Sequence, residues 1–229
     1  MAAEFDRHSE SYETAVEQAV AFAGQPHDVY LEAKARKLLE LARRRLGAEP
    51  VAALDVGCGI GLFERHLGGS FAALHGVDVS EPMIARARET VPEAEFRVSD
   101  PGRLPYEDAR FDLVFTVCVL HHVERGERGP LLAEMARVAR PGGLVVVFEH
   151  NPWNPLTRKV VRGCEFDQGV ELLPRREVMA ALRAAGLEVT DAEYLLLSPW
   201  RGPLVERMER ALARVPLGAQ YVVAARAAA

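Results

Sequence analysis

Short apolar runs rich in β-branched residues recur through the middle of the chain, with helical segments between most of them. The runs occupy residues 51–56, 71–79, 94–99, 111–120 and 143–150. Helical spacing of apolar residues is found at 60–68, 81–90 and 128–139. Strands that alternate with helices form a parallel sheet, because each strand must return to the same edge through a crossover. The sequence therefore predicts an α/β fold of the doubly wound, Rossmann-like class.

The flanking regions depart from this rhythm. Two helices are predicted before the first strand, at 9–23 and 28–46, and three prolines with scattered aromatics interrupt the pattern at 151–174. Regular spacing then predicts a helix at 175–185, a strand at 187–197, a helix at 202–214 and a strand at 219–226. We interpret residues 1–50 as a helical cap and 51–229 as the main domain, with a cap insert at 151–174.

Composition limits the partners. The 229 residues carry a net charge of −5, so no overall positive field attracts nucleic acid or anionic lipid. No apolar stretch has the length of a membrane span, and the three cysteines lack CxxC spacing, so neither a disulfide framework nor a thiolate metal site is indicated. We expect a cytoplasmic protein with a small-molecule substrate and no nucleic-acid, membrane or metal partner; the oligomeric state stays open.

The segment LDVGCGIG, residues 54–61, places three glycines after a predicted strand, with Asp55 two residues before the first of them. Such a turn offers backbone N–H groups and lets a ligand approach the main chain closely. The dinucleotide fingerprint G-x-G-x-x-G is incomplete, since Leu62 or Glu64 stands where the last glycine is needed. Asp55 would also repel a pyrophosphate, by a few kcal/mol at about 4 Å. A cationic cofactor such as S-adenosylmethionine suits the turn better.

A second acid supports a nucleoside cofactor. Asp78 ends the predicted second strand in GVDVS, at the spacing where an acid binds ribose hydroxyls. Asp78 alone would suit NAD equally well. The choice between the two cofactors therefore depends on Asp55 and on the missing glycine.

These two segments are followed by SDPGRLPYEDARFDLVFTVCVLHHV and LLAEMARVARPGGLVVVFEH. In this order and spacing, the set resembles the class I S-adenosylmethionine-dependent methyltransferases over residues 51–150. The resemblance implies a seven-stranded, mostly parallel sheet. Its antiparallel last strand, here within GAQYVVAAR at 218–226, would be inserted between the two preceding strands. An NAD-dependent oxidoreductase, and a protein that binds S-adenosylmethionine without methylating (a sensor or cyclase), remain as alternatives.

The resemblance also implies which residues contact the cofactor. It assigns the amino-acid end to Asp55, Gly57, Gly59 and Gly61, the ribose to Asp78, the adenine to Val79, Met83, Asp100 and Leu104, the sulfonium to Val117, and an overlying aromatic to Tyr12. A core role for Met83 and Leu104, and a turn role for Asp100, stay open. Lys34 could reach the cofactor's carboxylate or be a solvated charge.

Methyl transfer from a sulfonium is an in-line displacement that depends mainly on positioning, and a hydroxyl acceptor also benefits from a general base. Candidates follow the fourth and fifth strands, where ligands bind in open α/β sheets. They are His122, beside His121, then Glu149 and His150. We expect His150 to be the base and O-methylation to be favoured over C or N, although the His121–His122 pair is also compatible with loop anchoring.

The acceptor should be a small or medium-sized organic molecule, enclosed by the N-terminal helices and the 151–174 insert. Apolar walls are expected from Phe22, Tyr30, Trp153, Phe166 and Trp200. A basic group at Arg158, Lys159 and Arg162 could bind an acidic group of the acceptor or simply form a solvated helix face.

Overall fold

Seven strands of the described part of the chain form one sheet. The computed structural model describes residues 14, 16–18, 26–47, 51–167, 169–195 and 202–228. The strands are β1 (Ala52–Val56), β2 (Ala73–Asp78), β3 (Glu95–Val98), β4 (Phe111–Val117), β5 (Ala139–His150), β6 (Glu188–Leu195) and β7 (Gln220–Arg226). Their order is β3-β2-β1-β4-β5-β7-β6, and β7 runs antiparallel to both neighbours. The predicted α/β class and the inserted antiparallel strand are confirmed.

Six helices of eight residues or more belong to the described part of the chain. They are α1 (His27–Leu46), α2 (Glu81–Thr90), α3 (Arg128–Val138), α4 (Pro155–Gly163), α5 (Arg175–Ala184) and α6 (Pro203–Leu212). Of the predicted helix at 9–23, residues 14 and 16–18 are helical, and the rest lies outside the described residues. None of the described helices has the length and apolarity needed to cross a membrane.

Alternating side chains of the central strands divide the core into two layers. Leu113 and Phe115 of β4 pack on one face with Leu38 of α1, and Val114 packs on the other face with Met135 of α3. Successive residues of a strand point to opposite faces, so a strand that is apolar at every position is covered on both sides. Because α1 belongs to one of these layers, it supports the sheet directly. The domain boundary at residue 50 stays a prediction.

Two local predictions differ from the structure. The helix predicted at 60–68 is only a 3-10 turn over Glu64–His66, because Gly59 and Gly61, at φ +54° and +80°, hold the preceding chain in a left-handed conformation. The strand predicted at 111–120 ends at Val117, and Cys118 then adopts φ +59°. That reversal turns the following residues across the carboxyl end of the sheet.

Candidate functional site

The glycine turn after β1 is held against β2. The amides of Gly57 and Cys58 both donate to the carbonyl of Val77, at 2.7 and 3.0 Å. The amide of Gly59 donates to Oδ2 of Asp78, also at 3.0 Å. A Cβ on Gly57 would lie 2.5 Å from a methyl of Val119, whereas a Cβ on Gly59 would meet no atom within 4 Å. The turn is thus packed at Gly57 and open at Gly59, where a ligand can approach.

Two carboxyl groups are buried beneath this turn. Asp55 is 2% exposed, and Glu64, from the following 3-10 turn, is 0% exposed. Burial and the neighbouring Glu64 raise the pKa of Asp55 well above its usual value, and burial raises the pKa of Glu64 to about 7. Oδ1 of Asp55 and both carboxyl oxygens of Glu64 meet no hydrogen-bond donor among the described residues, apart from a proton shared between the two acids. A buried acid pair of this kind favours a bound proton or a bound cation.

The remaining described residues assigned to the cofactor follow the carboxyl ends of β1, β2 and β3 or lie at the end of β4. Val79 and Val117 are half-buried. Asp100 is exposed in the turn after β3, where its backbone forms an isolated antiparallel β-bridge with Arg103. Met83 and Leu104 are 1% and 3% exposed within the two core layers. Their burial fits a core role as well as an adenine contact. Gly61 packs against α2, where a Cβ would lie 3.3 Å from Cα of Ala87. Tyr12 lies outside the described residues.

Beside the carboxyl end of β4, His121 is fixed by a carboxylate from β5. Nδ1 of His121 lies 2.7 Å from Oε2 of Glu149, and both side chains are almost completely buried. The backbone amides of His121 and His150 also donate to Glu149, at 3.4 and 3.1 Å. Burial lowers the pKa of His121, but the charge of Glu149 and the contacts with Asp167 and Glu149 together outweigh it, so the pKa lies well above its usual value. The same pairing holds the pKa of Glu149 low despite its burial.

Asp167, from the 3-10 turn Glu165–Asp167 of the insert, reaches the same place. Its Oδ1 lies 3.5 Å from Nε2 of His121 and 3.2 Å from Nε2 of His122. Burial opposes ionisation of Asp167, yet its close contacts with the two histidines hold its pKa far below the usual range. The rings of His121 and His122 are 4.2 Å apart, centroid to centroid, and those of His121 and His150 are 5.1 Å apart. Three imidazoles and two carboxylates therefore form one polar cluster.

His150 contacts residues of β7 and of the turn after β4. Its Nδ1 lies 3.3 Å from the side-chain amide of Gln220 on β7, which also contacts Sγ of Cys118 at 3.3 Å. Burial and the charge of His121 lower the pKa of His150 to about 4. His150 is therefore uncharged at neutral pH and a weak proton acceptor, a property that its place in the sequence did not reveal.

The insert is fixed to the sheet by two asparagines. Asn151 donates to the carbonyls of Pro216 and Gly218, at 3.0 and 2.7 Å. Asn154 caps α4 by accepting from the amides of Leu156 and Thr157, and it donates to the carbonyl of Leu217 at 2.8 Å. These bonds join the loop after β5 to the turn before β7, so the segment that carries Asp167 starts from a fixed point.

Sequence reasoning missed several residues of the site. Asp167 and Gln220 come from elements that no local pattern places beside the histidines. Glu64 was noted only because it stands where the dinucleotide fingerprint requires a glycine. Lys34, left open above, is 4% exposed in α1; its charge contributes to the lowered pKa of His150 and partly opposes the rise that burial causes in the pKa of Cys118. The available signal in the sequence was the position of Lys34 among apolar residues of one helix face, between Leu31 and Leu38, where a charged residue is unusual.

The expected apolar walls are only partly found. Phe166 is buried beside Cys164 and contacts Val16 from the N-terminal region, whereas Trp153 is 63% exposed and Tyr30 is half-buried. Phe22 and Trp200 lie outside the described residues. Arg158, Lys159 and Arg162 are all exposed on α4, which fits the solvated-face alternative.

Comparison with known proteins identifies the central region. Residues 54–147 match the model of the "Methyltransferase domain" family. The chain is 39% identical over 124 residues to phosphatidylethanolamine N-methyltransferase of Cereibacter sphaeroides, covering 50% of this chain and 60% of that protein. It is 32% identical over 169 residues to 27-O-demethylrifamycin SV methyltransferase of Amycolatopsis mediterranei, covering 67% and 61%. The chain thus spans about three fifths of the length of these relatives.

A solved structure extends the likeness to the whole fold. An S-adenosylmethionine-dependent methyltransferase from Thermotoga maritima superposes with a TM-score of 0.67 over 99% of this chain and 100% of that one, at 20% identity. At this identity the likeness concerns the fold alone. The two curated relatives act on different acceptor atoms, nitrogen in one name and oxygen in the other.

Proposed function

Because this chain belongs to the class I S-adenosylmethionine-dependent methyltransferases, we propose that it transfers a methyl group to a hydroxyl of a small or medium-sized organic acceptor. S-adenosylmethionine supplies an activated methyl group that needs no further chemical activation. The protein's part is then to bind both molecules, align them and exclude water.

The buried acid pair carries the cofactor part of the proposal. Asp55 and Glu64 leave carboxyl oxygens without a partner among the described residues, and a sulfonium compound with an ammonium group can balance this charge, whereas a pyrophosphate would add to it. The open space at Gly59 gives such a compound access to the backbone. The residues present therefore fit S-adenosylmethionine better than NAD.

We assign the cofactor contacts as the resemblance implied. Asp55, Gly57, Gly59 and Gly61 would surround the amino-acid end, and Asp78 would bind the ribose. Val79, Met83, Asp100 and Leu104 would border the adenine, and Val117 the sulfonium, with Tyr12 as the overlying aromatic. Lys34 joins this set as a partner for the cofactor's carboxylate, since it is buried and its charge acts on Cys118 and His150 at the ends of β4 and β5.

For the acceptor's proton we propose His122 in place of His150. Nε2 of His122 lies 3.2 Å from Oδ1 of Asp167, so this carboxylate can hold the ring with Nδ1 unprotonated and able to accept a proton. His122 is also less buried than His121, with 15% of its side chain exposed. His150, whose pKa is lowered to about 4, is a weaker proton acceptor, and Glu149 acts as a positioning residue through His121.

The two cap segments complete the acceptor site in this proposal. Val16 from the region 1–50 packs with Cys164 and Phe166 of the insert 151–174. This contact supports a shared roof over the histidine cluster. Both segments would enclose the acceptor and keep water from the transfer step.

Binding and turnover can test the assignment separately. Calorimetric titration with S-adenosylhomocysteine and with NADH distinguishes a methyltransferase from an oxidoreductase; we expect only the former to bind. Labelled S-adenosylmethionine is then incubated with matched panels of hydroxyl and amine acceptors. Label in the hydroxyl panel supports O-methylation, and label in the amine panel alone contradicts it. Cofactor binding without any label transfer across both panels would favour a sensor or cyclase.

The general base has its own test. In His122→Gln we expect kcat for a hydroxyl acceptor to fall by about 10²- to 10⁴-fold, the usual contribution of a positioned base, while the affinity for S-adenosylhomocysteine stays the same. His66→Gln, in the 3-10 turn beside Asp28, serves as the matched control. An unchanged kcat in His122→Gln would remove this residue from the mechanism.

A further inference from the structure

Three side chains of the polar cluster point donor atoms at one small volume. One nitrogen of His121, one nitrogen of His150 and one carboxylate oxygen of Asp167 all lie within 4.8 Å of one another. The three residues come from the loop after β4, the end of β5 and the insert, so only the fold brings them together. We propose that His121, His150 and Asp167 form a binding site for a divalent transition-metal ion such as Zn²⁺.

His121 is prepared for this role. Its Nδ1 donates to Glu149 at 2.7 Å, which directs Nε2 away from that carboxylate, and an ion bound at Nε2 would displace the proton that this nitrogen carries in the imidazolium form. Nε2 is buried and meets no hydrogen-bond partner among the described residues. A histidine whose second nitrogen donates to a carboxylate is the usual arrangement for a metal ligand, because the carboxylate fixes the tautomer and makes the ligand more basic.

Asp167 supplies the negatively charged ligand. Its Oδ1 is 3.5 Å from Nε2 of His121, and ligands on one ion at about 2.0–2.2 Å are themselves about 3–3.5 Å apart. The nitrogen of His150 completes the set after an inward movement of about 1 Å, estimated from the same bond lengths. The Nε2–H of His122, 3.2 Å from Asp167, can keep the carboxylate oriented from outside the coordination sphere.

Gln220 can set the tautomer of His150. When its side-chain oxygen faces Nδ1 of His150, 3.3 Å from the amide group, it accepts the Nδ1–H and leaves Nε2 free to bind an ion. Oε1 of Gln220 otherwise has no hydrogen-bond partner among the described residues. This orientation exchanges the oxygen and nitrogen of the Gln220 amide. The thiol of Cys118, also 3.3 Å from the amide group, can then donate to Oε1 of Gln220.

The donor set selects the kind of ion. Two imidazoles and one carboxylate favour Zn²⁺, Fe²⁺, Co²⁺ or Ni²⁺, while Mg²⁺ and Ca²⁺ prefer oxygen ligands. Three protein ligands leave coordination positions open for water or for a hydroxyl oxygen. The ion site does not depend on the proposed methyl transfer, and it leaves His122 outside the ligand set.

Cobalt provides a direct probe. The protein is freed of metal with a chelator, dialysed, and titrated with Co²⁺ while its visible absorption is recorded. We expect about one Co²⁺ per chain, with the absorption of a low-coordinate nitrogen–oxygen site, and displacement by Zn²⁺. Absence of any Co²⁺ spectrum, and of bound Zn²⁺ after gel filtration, would overturn the proposal.

Variants locate the site. Asp167→Asn and His150→Gln should each abolish the Co²⁺ absorption. Glu149→Gln should weaken Co²⁺ affinity by about 10- to 100-fold, as expected for a residue that orients a ligand. His66→Gln should bind Co²⁺ as the parent protein does. Circular dichroism confirms folding in each case, so that lost binding is not lost structure. Full binding in both Asp167→Asn and His150→Gln would place any bound ion elsewhere and refute the assignment.

Discussion

The amide of Gly59 lies 3.0 Å from Oδ2 of Asp78, and Oδ1 of the same carboxylate accepts from the amide of Ser80, also at 3.0 Å. One side chain thus joins the glycine turn after β1 to the end of β2. The carboxylate that we assign to the ribose also holds the loop assigned to the amino-acid end. Cofactor affinity should therefore respond strongly to this residue.

Asp78→Asn keeps the size of the side chain and removes its charge. We expect the affinity for S-adenosylhomocysteine to fall by about 10- to 100-fold, the effect of losing a hydrogen bond to a charged group. Isothermal titration calorimetry measures this change. Asp108→Asn, at a side chain 77% exposed, is the control and should bind normally. Equal affinities in the two variants would remove Asp78 from the cofactor site.

Gly59→Ala separates backbone cost from ligand access. Gly59 and Gly69 both have positive φ angles, +54° and +68°, and a Cβ on either meets no protein atom within 4 Å. Each substitution should therefore cost about 1–2 kcal/mol of stability through the left-handed backbone. Only Gly59→Ala should also lose S-adenosylhomocysteine binding. Thermal unfolding and calorimetry on both variants provide the comparison, and normal binding by Gly59→Ala would contradict the proposed approach to the turn.

Glu64 should make stability depend on pH. Burial raises its pKa from an ordinary 4.5 to about 7 in the folded protein, so between these values unfolding releases a proton and stability falls as pH rises. Glu64→Gln removes this loss. We compare the free energy of unfolding of the variant with that of the parent protein at each pH. This difference should favour the variant by on the order of 1–3 kcal/mol more above pH 7 than at pH 4.5.

Urea unfolding at the two pH values measures this gain. Glu93→Gln, at an exposed position, controls for the removal of a negative charge. A difference between Glu64→Gln and the parent protein that is the same at both pH values would mean that Glu64 does not titrate differently in the folded state.

Asn154 combines a helix cap with a tether, and two substitutions can separate these roles. Asn154→Ala loses both, and we expect a loss of about 1–2 kcal/mol with faster hydrogen exchange in α4. Asn154→Asp keeps the capping oxygen but cannot donate to Leu217, so it should protect α4 while exchange at residues 215–218 increases. Equal exchange in the two variants would show that the bond to Leu217 has no separate effect.

The sheet was predictable because each strand carries its own signal. The residues of β4 are apolar and aromatic at nearly every position, which is the pattern of a strand covered on both faces, and the structure buries Phe111, Leu113, Val114 and Phe115 completely. The insertion of β7 between β5 and β6 came from family resemblance, since periodicity alone does not give strand order. The helix prediction at 60–68 was wrong because the spacing of apolar residues does not show that Gly59 and Gly61 adopt left-handed backbone angles.

The polar cluster was only half predictable. His122, Glu149 and His150 follow strands, and ligands collect at those strand ends. The direction of each pKa shift depends on burial and on neighbours such as Asp167, 45 residues from His122 along the chain. Asp167 sits in an insert without regular spacing, so only the folded chain reveals that it reaches His121.

The position of β7 has a consequence for folding during synthesis. Residues 220–226 pair with β5 on one side and with β6 on the other, so the ribosome must complete them before β6 can join the sheet. Until then, β5 and β6 each have an unpaired edge that can pair wrongly with other chains. A nascent chain arrested before residue 220 should consequently be a preferred client of molecular chaperones.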